Sequence, residues 1–192
     1  SAEVVDRAGK RAVDYAAEAG RWSLVAALDP GYALPSSVRA EDGEATPEDR
    51  PPLELLREGL HEARYDGLER LAALLSPTEL GGLLLEPDAS SSAERIRWLL
   101  AHGADAATID ADGALPAFAL LSRGPDAVPA LQALLDHGAP LAGEGGLARF
   151  LAACLGGDRT GRALEQFALD LLERGVDAKG VSAEGDPALS LS

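Results

Sequence analysis

Few residues in the chain have types and spacings that suggest chemistry. Cys154 is the only cysteine in 192 residues. A thiolate beside a histidine could act as a nucleophile. Cys154 lies in the apolar stretch Ala152-Ala153-Cys154-Leu155 with no nucleophile signature around it, so packing as a small apolar group is the expected role. The three histidines are His61, His102 and His137. His102 and His137 each stand one residue before a glycine, after a Leu-Leu pair, where a cation complements a helix C-terminus. His61-Glu62 opens like a zinc-protease motif, but the second histidine is replaced by Tyr65. Thr108-x-Asp110-x-Asp112-Gly113 starts like a calcium loop, yet the position that needs a bidentate Glu is Ala119. Gly143-Glu144-Gly145-Gly146 lacks the Lys-Ser/Thr of a phosphate loop. These readings assign no catalytic residue, no metal site and no cofactor.

Composition narrows the function classes. Seventeen Lys+Arg against 32 Asp+Glu give a net charge of −15. Nucleic acid and anionic membrane surfaces demand dense Lys/Arg, so both are excluded as partners. One cysteine rules out an intrachain disulfide framework. No apolar run reaches the roughly 18 residues of a spanning helix. Methionine and asparagine are both missing, which leads us to expect a piece excised from a longer protein and removes any N-glycosylation acceptor. Abundant Ala, Leu, Gly and Arg suggest a bacterial source with a GC-rich genome. The single cysteine suits the cytoplasm, without excluding a periplasmic or secreted setting.

Something must position these residues, and the pattern points to short helices. Aromatics are only 4% of the chain, so a core must come from Leu, Ala and Val. Alternating strand patterns are nearly absent. The expected helices form five pairs, Arg11–Ala19 with Ser23–Leu28, Leu53–Tyr65 with Leu68–Leu75, Thr78–Leu85 with Ala93–His102, Leu115–Ser122 with Val128–His137, and Leu147–Leu155 with Gly161–Arg174. Each is two to three turns long and marginal alone, so neighbours must cover its apolar face. Residues 34–52 read as an insertion. Glu41, Asp42, Glu44, Glu48 and Asp49 make it acidic, and Pro35, Pro47, Pro51 and Pro52 bound it, so a solvated surface loop is expected.

The pairs repeat. Leu99-Leu100-Ala101-His102-Gly103-Ala104, Leu134-Leu135-Asp136-His137-Gly138-Ala139 and Leu171-Leu172-Glu173-Arg174-Gly175-Val176 share one pattern. Upstream, Ala16-Ala17-x-x-Gly20 matches Ala152-Ala153-x-x-Gly156, and Asp6-x-x-Gly9 matches Asp110-x-x-Gly113 before Pro116. This resembles the ankyrin repeat, over essentially the whole chain. The family's histidine position falls on Asp14, His61, Leu85, Phe118, Phe150 and Ser190, recurring on average about every 35 residues. The Thr and Pro positions are mostly lost, which marks the array as divergent.

The resemblance implies an all-α solenoid of stacked helix-turn-helix units with β-turn fingers. The implied repeats cover 6–33, 53–76, 77–104, 105–139 and 140–176, with the start of a sixth at 177–192. It implies a monomeric module that binds another protein through a concave groove, without catalysis. Carried over position by position, the groove residues are Arg7, Lys10, Glu18, Tyr65, Asp66, Asp112, Ser122, Arg123, Glu144, Cys154, Glu184 and Asp186. Trp22 and Trp98 are expected in packing, not recognition. An alternative is the regulatory or targeting region of a larger enzyme or secreted effector.

Overall fold

The computed structural model describes residues 4–35, 38, 49–86, 92–155 and 162–181. The protein is all-α; among these residues there is no strand, and Val5 and Arg11 form an isolated antiparallel bridge. The chain divides into two compact units, Ser1–Glu79 and Leu80–Ser192.

The first unit contains α1 (Ala12–Glu18), α2 (Trp22–Leu28), α3 (Pro52–His61) and α4 (Leu68–Ala72); α5 (Pro77–Leu85) runs across the division. The second contains α6 (Ala93–Ala101), α7 (Pro116–Leu121), a 3-10 turn (Pro125–Ala127), α8 (Val128–Asp136), α9 (Gly146–Leu155) and α10 (Arg162–Glu173). Ten helices were expected at these places, and each is found. Their starts are fixed by local chemistry. Asp14 reaches back to accept the Arg11 backbone N–H at 2.8 Å, and its carboxylate pairs with the Arg11 guanidinium at 3.0 Å. Ser76 and Glu79 form a reciprocal box before α5, with bonds of 2.8 and 3.2 Å. Pro52 and Pro116 occupy first-turn positions, where no backbone N–H is missed.

The repeated Leu-Leu-x-x-Gly pattern closes three helices in one geometry. Gly103, Gly138 and Gly175 have φ of 91°, 84° and 86°. The next residue then donates back to the first leucine's carbonyl, as Ala104 to Leu99, Ala139 to Leu134 and Val176 to Leu171, each at 3.0 Å. One closure differs from expectation. The helix predicted to run to Tyr65 ends at His61, because Ala63 takes the left-handed conformation (φ 54°) and Arg64 bonds back to Gly59 at 2.9 Å. Gly67 (φ 78°) instead precedes α4, which stops at Ala72 and not at Leu75. The turn between α3 and α4 is therefore longer than the tight Gly turn predicted.

Packing follows the pairs. In the first unit α1 packs on α2, and α3 on α4. In the second, α7 packs on α8 and α9 on α10, while α8 also lies against α6 and α9 against α7. The cores are built as the aromatic poverty required. Leu55, Leu56, Leu60 and Leu71 are buried in the first unit, and Leu99, Leu120, Leu131, Leu134 and Leu171 in the second. Each contributes roughly 1.5–3 kcal/mol of burial. Trp22 is completely buried, and its indole N–H donates to the Arg50 carbonyl at 2.7 Å. Phe150 and Phe167 meet edge to face, with centroids 5.5 Å apart, and join α9 to α10.

Candidate functional site

The turns before the first helices are built alike. At Asp6, the carboxylate accepts the backbone N–H of Ala8 (2.8 Å) and of Lys10 (3.0 Å), and the Asp6 N–H donates to the Lys10 carbonyl (2.9 Å). At Asp110, the carboxylate accepts from Asp112 (2.9 Å) and Ala114 (2.8 Å), and the Asp110 N–H donates to the Ala114 carbonyl (3.0 Å). Gly9 and Gly113, with φ of 78° and 79°, turn both fingers. The Asp110 carboxylate of the apparent calcium loop is thus committed to backbone N–H groups, which is turn chemistry. Asp177 does a related job between two turns. It accepts the Gly145 N–H at 2.7 Å as well as those of Lys179 and Gly180, and these bonds hold its carboxyl below the ordinary range.

The predicted groove residues divide into three sets. Arg7, Asp66, Asp112, Ser122, Arg123 and Glu144 are exposed, and Tyr65 is half-buried in the turn after α3. Lys10 and Glu18 are held by each other in a 2.5 Å ion pair, which raises the lysine pKa. Beside them the Tyr15 hydroxyl donates to Asp6, and Lys10 lies 5.4 Å over the Tyr15 ring. Mutual pairing therefore neutralises much of the first finger's charge. Cys154 is the correction. It is only 7% exposed, and burial pushes its thiol pKa up, because it turns into the packing of α9. It offers a partner no surface. Glu184 and Asp186 lie outside the described residues.

The remaining chemistry-bearing residues also have structural partners. His102 caps α6, with Nδ1 2.7 Å from the Trp98 carbonyl and its ring stacked on Trp98 at 3.9 Å. His137 ends α8 in the same register. Among the described residues no three of His, Cys, Asp and Glu gather closely enough to hold a metal ion. No described helix is long and apolar enough to cross a membrane.

Asp49, read as part of a solvated acidic loop, proves to be a helix cap. It accepts the Ser23 N–H (3.2 Å) and hydroxyl (2.9 Å) at the start of α2 and pairs with Arg21 at 3.4 Å. Those bonds hold its carboxyl below the usual range. Glu41, Asp42, Glu44 and Glu48 lie outside the described residues. Near Asp66 a cleft of about 300 Å³ opens, lined by Leu34, Pro35, Asp66, Glu69 and Arg70 among others.

Sequence reading missed one set of surface residues. Val5, Ile109 and Val181 are exposed β-branched side chains. Val5 and Ile109 each stand four residues before the glycine of their turn, at Gly9 and Gly113. The signal was a periodic apolar residue on a polar turn, which has no packing role to explain it.

No protein-family model, curated protein or solved structure matches the chain.

Proposed function

We propose that this chain is a divergent ankyrin-type array that binds another protein through its fingers and first helices, and that it is not an enzyme. The observation that carries this reading is the recurrence of the same finger at Asp6–Lys10 and Asp110–Ala114. Three identical helix closures support it, as does the packing of first helix on first helix (α7 with α9) and second on second (α6 with α8). Such stacking presents fingers as an extended surface. The binding determinants are Arg7, Tyr65, Asp66, Asp112, Ser122, Arg123 and Glu144, with Lys10 and Glu18 positioning the first finger. The net charge of −15 favours a partner with a basic or polar patch and makes association sensitive to salt.

The test is affinity capture from the source cell with the parent chain and a Tyr65→Ala/Arg123→Glu variant, at low and high salt. The reading expects a protein captured by the parent and released by salt, with recovery from the variant cut about tenfold. Equal recovery from both chains would remove the finger-and-helix assignment.

A further inference from the structure

Two half-buried arginines show how this chain treats a guanidinium. Arg11 pairs with Asp14 at 3.0 Å and Asp29 at 3.7 Å, and Arg50 with Glu54 at 3.0 Å and Glu58 at 2.7 Å. Arg149 of α9 is also half-buried and is treated differently. Among the described residues, its Nε and the Thr108 hydroxyl are the two buried side-chain polar atoms without a hydrogen-bond partner. The guanidinium meets an aromatic ring instead, with its Cζ 5.1 Å from the Phe118 centroid.

Phe118 and Arg149 lie on α7 and α9, two first helices that pack together, so the pair sits within the described stack. The finger before α9 fixes the ring. A Cβ at Gly143 would collide with it, and one at Gly146 would lie 3.5 Å from its Cε2. Both side chains remain half-exposed and within reach of a ligand.

The missing acid is the informative feature. A guanidinium keeps its proton in a protein, so burial of Nε takes water from a charge that cannot neutralise itself. An aromatic face answers the charge only in part and offers the N–H fork no acceptor oxygen. The planar fork matches a carboxylate or a phosphate. A phosphoryl group would bring about −1.5 to −2 charges, against one for a carboxylate. In a chain of net charge −15 the carboxylate meets the smaller repulsion.

We infer that the Arg149 guanidinium, seated on the Phe118 ring, is the docking point for one carboxylate, an aspartate or glutamate side chain of the partner protein. The carrier of that carboxylate rests on the finger-and-helix reading above. The site itself does not, because a small carboxylate tests it without any partner.

The probe is acetyl-glutamic acid α-amide, which carries a lone side-chain carboxylate, with the neutral acetyl-glutamine α-amide as its control. Both are titrated into the parent chain at constant ionic strength, and the arginine Nε–H signals are followed by heteronuclear NMR. The Arg149 signal is the one absent from Arg149→Lys. It is expected to shift saturably and to be half-shifted at roughly 5–100 mM, the range that the charged hydrogen bonds of one group supply. The glutamine amide is expected to leave it in place. If Arg149→Lys loses its helical circular dichroism, the backbone amides of Arg149 and Phe150 give the same readout in the parent chain. A saturable shift beside failed partner capture keeps the site and removes the groove reading; capture without a shift does the reverse. No saturable shift, an equal shift with the glutamine amide, or a tighter response to inorganic phosphate overturns the inference. So does a shift of the same signal in ligand-free Glu144→Gln, which would make the exposed acid of the neighbouring finger the occupant.

Discussion

Gly20 is where the turn between α1 and α2 is most tightly constrained. Its φ is 67°, and a Cβ there would collide with the Arg50 carbonyl oxygen, lie 2.8 Å from the Arg50 carbonyl carbon and 3.0 Å from the Pro51 Cα. That carbonyl is the acceptor for the buried Trp22 indole. Gly9 and Gly67 have φ of 78° in the same unit, but a Cβ at either meets nothing within 4 Å. The three glycines therefore separate two costs. The left-handed conformation costs an L-residue about 1–2 kcal/mol, and alanine returns about 0.4–1 kcal/mol by restricting the unfolded chain. Gly9→Ala and Gly67→Ala should each lose about 0.5–1 kcal/mol. Ala63, at φ 54°, shows that this unit already accommodates one alanine in that conformation. Gly20→Ala adds displacement of the Arg50–Pro51 backbone, an overpacking cost of about 1–3 kcal/mol, for a total of about 1.5–4 kcal/mol. Urea unfolding followed by fluorescence in a Trp98→Phe background measures this, since Trp22 is then the only tryptophan and reports on its own unit. If Gly20→Ala falls within about 0.5 kcal/mol of Gly67→Ala, the close approach of Arg50 contributes nothing and the reasoning fails.

Two further outcomes follow from the carboxylates and from the repeated leucines. Asp14, Asp49 and Glu79 are held below their ordinary values of 3.8, 3.8 and 4.5 by Arg11, Ser23 and Ser76 respectively, so the stability they add is complete above those values and is lost as pH falls through the lowered ones. The melting temperature should therefore drop below about pH 4, with a shallower drop in Glu79→Gln; a melting temperature that climbs steadily on acidification would mean that relief of the −15 self-repulsion dominates. Leu135→Ala should cost about 2–4 kcal/mol, and Leu172→Ala, at the equivalent but exposed position, about 1 kcal/mol or less; equal losses in urea unfolding would show that the motif, not its burial, sets the energy.

How legible the fold was in the sequence depended on where its information lay. The Leu-Leu-x-x-Gly endings were readable because helix closure is a local event, decided by a glycine and the carbonyls one turn before it. The finger turns were readable for the same reason, since the Asp6 and Asp110 carboxylates close them by accepting backbone N–H groups within four residues. The end of α3 was not, because Ala63 adopts a conformation that alanine rarely takes and Gly67 offered a more conventional stop. Asp49 was misplaced by the same limit. It looked like one of a run of solvated acids, but its partners Arg21 and Ser23 are more than twenty residues earlier in the chain. Burial was the least legible property of all. Leu100, Leu135 and Leu172 are the same residue in the same motif, and Cys154, expected from the sequence to face a groove, is buried. Whether such a side chain meets a partner, a neighbouring helix or water is settled by the element stacked beyond it, a fact that no window of one repeat contains. The surface residues of the candidate site are therefore legible only as positions. Their chemistry enters through neighbours, as when Glu18 neutralises Lys10 and leaves Arg7 as the exposed charge of the first finger.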